Sequence, residues 1–66
     1  MIGRELKKER VKQKATLKQV AESCGTSIAR IHETENEKTE PSLNLAIRIC
    51  DALGVKLSTI LRRAGK

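Results

Sequence analysis

Residue types able to do covalent or metal chemistry are scarce in this 66-residue chain: one histidine, His32, and two cysteines, Cys24 and Cys50. Their separations match none of the Cys/His spacings that hold zinc. No hydroxyl or thiol stands at a spacing that would pair it with His32 as nucleophile and base, and there is no glycine-rich phosphate loop. So short a chain also has no room for an enclosing pocket. An enzyme is therefore excluded as the reading, and neither metal nor cofactor is implied. The cysteines read as buried structural thiols in a reducing compartment.

What the chain has in excess is positive charge. Fourteen Lys and Arg stand against eight Asp and Glu, a net charge of +6. Such a surplus suggests a polyanion partner. The plainer reading makes Lys7, Lys8, Lys12 and Lys14 a solvated helix face. The distribution is uneven. Residues 1–18 carry seven basic and two acidic side chains (+5), residues 19–41 two and five (−3), and residues 42–66 five and one (+4). The acidic middle is what any polyanion-binding reading must explain. There is no Phe, Trp or Tyr, which argues against the aromatic platforms that stack single-stranded bases.

One small domain, residues 1–66, is all this length allows, and a domain so small buries only about 60% of its unfolded surface. No apolar run reaches membrane-spanning length, and Met1 to Glu5 carry no apolar signal segment. The expectation is a cytoplasmic protein, associated with the nucleoid if DNA is the polyanion.

The elements that must position these charges are helices. Ile2, Leu6 and Arg10 recur at four-residue spacing, predicting a first helix from Gly3 to about Gln13. Thr16 followed three residues later by Gln19 is a capping box, so a second helix starts at Leu17. Its apolar residues Leu17, Val20, Ala21 and Cys24 share one face, and Gly25 ends it. Thr26-Ser27 caps a third helix, Ile28 to about Thr34. A polar loop closes at Pro41, and Ser42 caps a fourth helix, Leu43 to Leu53, whose wide apolar stripe marks it as the most buried. Gly54 ends it. A last helix, Leu57 to about Arg62, presents Leu57, Ile60 and Leu61, and Arg62 to Lys66 form a frayed basic tail. No segment alternates with period two, so the fold is all-α.

Residues 17–36 carry the functional signal. A small residue, Ala21, sits where two short helices would cross. A turn residue, Gly25, follows four later, and an apolar anchor, Ile31, six after that. This is what a helix-turn-helix requires, and its packing projects the outer face of the second helix away from the body, where it can enter a DNA major groove.

With these residues in place, the sequence resembles the Cro/CI-type (XRE-like) helix-turn-helix regulators of bacteria and their phages. The likeness runs from Ile2-Gly3 through Arg10, Thr16, Val20-Ala21-Glu22, Gly25-Thr26-Ser27, Ile31, Glu35 and Pro41-Ser42-Leu43 to Ala52-Leu53-Gly54-Val55 and Leu61. Its N-terminal part is most similar to the SinR-like branch. The resemblance implies a compact five-helix, lambda-repressor-like domain and an ion pair between Arg10 and Glu35. The physics agrees, because an Arg on the apolar face of the first helix is expensive to bury without a carboxylate.

By position, the resemblance makes Ser27, Ile28, Ala29 and Glu33 the base-reading residues. Ile28 and Ala29 suit thymine methyl groups, and Glu33 suits a cytosine amino group. Phosphate contacts fall to the helix start at Leu17, and to Thr26, Arg30, Asn36, Lys38, Thr39 and Asn44. His32 sits beside Glu33 and could meet a phosphate. Tight specific binding calls for two copies, hence a homodimer on an inverted-repeat operator, with Leu57, Ile60 and Leu61 as the dimer surface. The expected function is a sequence-specific, double-stranded-DNA-binding, repressor-like transcription regulator without a small-molecule effector domain. The competing reading is a protein-interaction module on the same fold, antitoxin-like or anti-repressor-like.

Some positions depart from the family pattern. Leu17 replaces a common Gln. Ala15 and Thr34 replace larger apolar residues. Lys14 and Glu37 stand where Gly is common, so each is strained if its site needs positive φ.

Overall fold

The computed structural model describes residues 2–65 of the chain; Met1 and Lys66 lie outside the described residues. Five helices follow one another: α1 (Ile2–Lys12), α2 (Leu17–Cys24), α3 (Ile28–Glu35), α4 (Leu43–Leu53) and α5 (Leu57–Ala64). No strand occurs among the described residues.

Local chemistry accounts for the helix ends. Thr16 Oγ1 accepts from the Gln19 N–H at 3.0 Å, and Gln19 Oε1 accepts from the Thr16 N–H at 2.9 Å, so both halves of the capping box form. Ser27 Oγ and Ser42 Oγ each accept a backbone N–H three residues on, from Arg30 and Leu45, at 3.1 Å. Gly25 and Gly54 end α2 and α4 in the left-handed region, at φ 70° and 69°. α5 is different: Lys56 precedes it without a side-chain cap, so packing rather than capping fixes its start.

The core is wholly aliphatic and thiol. Leu6, Val20, Ala21, Cys24, Ile31, Leu45, Ile49, Cys50, Leu53 and Ile60 form one buried cluster, with Ile2, Ala15, Leu17, Val55 and Leu57 packed at its edge. α2 lies against α3 and α4, while α1 bridges α3, α4 and α5. Where α1 meets the last turn of α3, a Cβ on Gly3 would collide with the Thr34 carbonyl oxygen. Only glycine permits that approach.

Three sequence expectations are corrected. The stripe on α4 is narrower than expected: Leu45, Ala46, Ile49, Cys50 and Leu53 are buried, but Leu43 and Ile47 are 69% and 41% exposed. No neighbouring helix covers that flank. Arg62 to Ala64 are helical rather than a frayed tail, because Arg63 Nη1 donates to Glu9 Oε1 at 2.9 Å; Lys66 lies outside the described residues. Finally, Ile60 is fully buried in its own chain and Leu57 packs on the same core, so of the expected dimer residues only Leu61, 49% exposed, faces outward. A short helix under α1 needs two of its three apolar residues to seal the domain.

Lys14 and Glu37 do adopt the left-handed region, at φ 59° and 60°. Thr34, fully buried, keeps its hydroxyl satisfied by donating to the Arg30 carbonyl at 2.9 Å.

Candidate nucleic-acid interface

The α2–α3 unit is built around Ala21, which is 2% exposed at the crossing. Gly25 turns the chain, and the Thr26 N–H closes the turn on the Ala21 carbonyl at 3.0 Å. Ile31 is fully buried and pins α3 from within. With that face anchored, Ser27, Ile28, Ala29, Arg30, His32 and Glu33 are all exposed on the outer side of α3. The four residues expected to read bases therefore lie together on one protruding surface. Ile28 is 47% exposed on this face. Ser27 Oγ already accepts from Arg30 N–H, but its own hydroxyl hydrogen remains to donate outward.

The residues expected to contact phosphate differ in how open they are. Leu17 is half-buried and packs on the core, so its side chain is withdrawn. What the site offers is the free N–H groups of the first turn of α2. Thr26 is half-buried, and Arg30, Asn36, Lys38, Thr39 and Asn44 are exposed. The loop after α3 is stitched to its helix: Asn36, Glu37 and Lys38 N–H groups donate to the carbonyls of His32, Thr34 and Glu33 at 3.0–3.1 Å. The Asn36 amide adds a bond from Nδ2 to the His32 carbonyl at 2.9 Å.

One carboxylate of the acidic middle, Glu35, is turned inward and paired. Arg10 Nε and Nη2 donate to Glu35 Oε2 and Oε1 at 2.7 and 3.0 Å, a bidentate pair whose side chains are 13% and 5% exposed. Arg10 Nη1 goes on to the Ala15 carbonyl at 2.9 Å. Thus Arg10 ties the end of α3 to the start of α2. Glu37 Oε2 accepts from the Arg4 N–H at 3.3 Å, placing a carboxylate against the positive end of α1. Glu33, Glu37 and Glu40, the acids that would repel phosphate, are exposed, as is Glu22.

Sequence reasoning missed a second polar cluster on the far side of α1. Glu9 is 5% exposed. It accepts from Gln13 Nε2 at 2.8 Å and from Arg63 Nη1 at 2.9 Å, and Gln13 Nε2 also reaches the Leu53 carbonyl at 2.6 Å. The Gln13 hydrogen bond, then that of Arg63, holds the Glu9 carboxyl below its ordinary value. The signal was present, since Glu9 follows Leu6 by three positions on the apolar face of α1. The thiols of Cys24 and Cys50 are buried and pushed up by desolvation, which makes them poor nucleophiles. No cluster of His, Cys, Asp and Glu fit for a metal exists among the described residues. No helix there is long and apolar enough to cross a membrane.

The chain matches known proteins over nearly its whole length. A family model described as helix-turn-helix covers residues 6–60. The transcriptional regulator ClgR of Mycobacterium tuberculosis is 36% identical over all 66 residues, and the chain spans 59% of that relative's length. The crystal structure of the clp gene regulator ClgR from Corynebacterium glutamicum superposes with a TM-score of 0.93 at 30% identity, covering 97% of this chain and 83% of that one. A structure of SinR, the master regulator for biofilm formation, in complex with DNA has a TM-score of 0.84 at 26% identity, covering 92% and 98%.

Proposed function

The chain belongs to this helix-turn-helix family, and from that membership we propose that it is the sequence-specific, double-stranded-DNA-binding unit of a transcription regulator. The observation that carries the reading is the exposed face of α3, pinned from behind by Ile31 and Ala21 and cleared of Glu35 by Arg10. α3 enters the major groove. Ile28 and Ala29 pack on thymine methyl groups, Glu33 accepts from a cytosine amino group, and Ser27 donates to a base edge or phosphate. Arg30, Asn36, Lys38, Thr39, Thr26, Asn44 and the helix start at Leu17 hold backbone phosphates. The likeness to a regulator solved on DNA supports this reading.

Two copies on an inverted repeat place two such helices about one turn, roughly 34 Å, apart. Leu61 is the member of the C-terminal apolar set left to a partner copy.

Selection of duplexes from a random pool at about 150–200 mM salt, which suppresses non-specific binding, tests this function. An inverted repeat is the expected product. A lone half-site would remove the dimer and keep the function. No enrichment by folded protein would favour a protein-interaction module instead. In the selected duplex, Ile28→Ala should cost about 1–3 kcal/mol at one or two base pairs. Equal losses on selected and random DNA would refute a base-reading role for Ile28.

A further inference from the structure

Arg4 and Lys7 are cations that this interface leaves unused. They lie where α1 meets the end of α3. Gly3 abuts the Thr34 carbonyl, the Arg4 N–H reaches Glu37, and Lys7 stands one turn beyond Gly3 on the same face. With Glu35, Asn36 and Glu37, the two cations line a shallow open hollow of about 230 Å³ beside the loop that follows α3. Both are exposed, and among the described residues neither makes an ion pair. The carboxylates in the wall already accept hydrogen bonds: Glu35 from Arg10, and Glu37 from the Arg4 N–H at the start of α1. Counting Arg4, Lys7 and Arg10 against Glu35 and Glu37 leaves three positive charges to two negative, a surplus of one. The Asn36 amide gives one N–H to His32 and keeps a second.

We propose that Arg4, Lys7 and Asn36 together grip a backbone phosphate of duplex DNA just outside the base pairs read by α3, lengthening the footprint of each half-site. The proposal rests on the DNA-binding reading above. The hollow is continuous with Asn36 and the phosphate-binding loop, and its lining is charged and polar, without a flat or apolar surface for a base. It fits a phosphate, and a contact there carries no sequence information. The other lysines of α1 stand apart. Lys8 lies 3.5 Å from Glu5. Lys12 follows Gly3 by nine residues, about 180° around the helix from the edge that meets α3.

The test is duplex binding as a function of salt by the whole chain, with Arg4→Gln, Lys7→Gln, Lys7→Arg and Lys12→Gln beside the unchanged protein. Helical content is checked for each. Arg4→Gln and Lys7→Gln should each flatten the log–log slope by about 0.9, with base preference unchanged. Lys7→Arg should keep the slope, and so should Lys12→Gln. A methylphosphonate scan of the duplex with unchanged protein should find a sensitive phosphate beyond the half-site, and Lys7→Gln should abolish that sensitivity. A steep slope for the unchanged protein that Arg4→Gln and Lys7→Gln leave intact would overturn the grip alone. Equal flattening by Lys12→Gln would also overturn it, in favour of a diffuse field. No salt-dependent duplex binding by the unchanged protein would overturn the DNA-binding reading itself.

Discussion

Adjacent residues of α1, Glu9 and Arg10, each form an ion pair with a distant element, and the two pairs differ in what they secure. Arg10 meets Glu35 in a two-bond fork with both side chains nearly enclosed. Glu9 meets Arg63 through one bond, with Arg63 left 42% exposed, and accepts a second bond from the uncharged amide of Gln13. The first pair orients the α2–α3 unit, where function is proposed to reside. The second fastens the C-terminal helix, which has no side-chain cap of its own. The lesson is one of geometry. A fork between enclosed partners leaves an uncompensated charge when broken, whereas a half-exposed partner returns to water at little cost.

Breaking the fork should have the largest effect. Arg10→Met leaves Glu35 buried and unpaired, and such losses cost about 3–5 kcal/mol. Thermal unfolding should fall steeply, with duplex affinity lost alongside. The paired change Arg10→Met with Glu35→Leu should recover most of the stability, because a matched apolar pair avoids the stranded charge. If both variants unfold at the same temperature, the fork is not what holds α3.

Glu9→Gln should cost less, about 1.5–3 kcal/mol for the lost charge-assisted bonds. Its signature should be local. Amide exchange should quicken in α5 and stay slow in α2 and α3. Uniform quickening would mean that the two pairs are not separable.

Acid sharpens the same contrast. The Glu9 carboxyl titrates lower in the folded chain than its ordinary value, because Gln13 and Arg63 donate to it. Its contribution is therefore full above that value and is lost as pH falls through the lower, folded one. Glu9→Gln should remove part of the stability decline at acid pH and leave the profile at neutral pH parallel to that of the unchanged chain. An identical acid limb in both proteins would deny the carboxyl this role.

The smallest effects concern the two left-handed residues that bracket the α2–α3 unit. Lys14→Gly should relieve backbone strain and stabilise by up to about 1 kcal/mol. Glu37→Gly relieves the same strain but removes the carboxylate that accepts from the Arg4 N–H, so its melting temperature should rise less. Equal gains would mean that the Glu37 contact adds nothing.

The parts that were legible in the sequence were local. Thr16 with Gln19, Ser27, Ser42, Gly25 and Gly54 mark ends through bonds to residues a few positions away, so type and spacing suffice. Ala21 and Ile31 were readable because a helix-turn-helix fixes its own crossing. Arg10 announced a partner by its place on an apolar face. What stayed hidden depends on which distant element covers a given surface. Arg63 looked like tail because its carboxylate lies 54 positions away. Ile60 looked available to a second copy because nothing local says that it closes the core. Leu43 and Ile47 looked buried for the converse reason. Gly3 was recognisable only as part of a family pattern until the Thr34 carbonyl gave it a steric cause. The base-reading residues were reached by position in the motif, and their exposure on one face is what the structure adds.

That separation of 54 positions also has a meaning in time. Contacts between neighbours, such as α2 with α3, close short loops and cost little chain entropy to form, whereas joining the two ends of the chain closes a long one. The Glu9–Arg63 latch is thus placed to form late, after the folding barrier has been crossed. Removing it should hasten unfolding while refolding proceeds at nearly its former rate, so the contact governs how long the domain stays shut more than how fast it assembles.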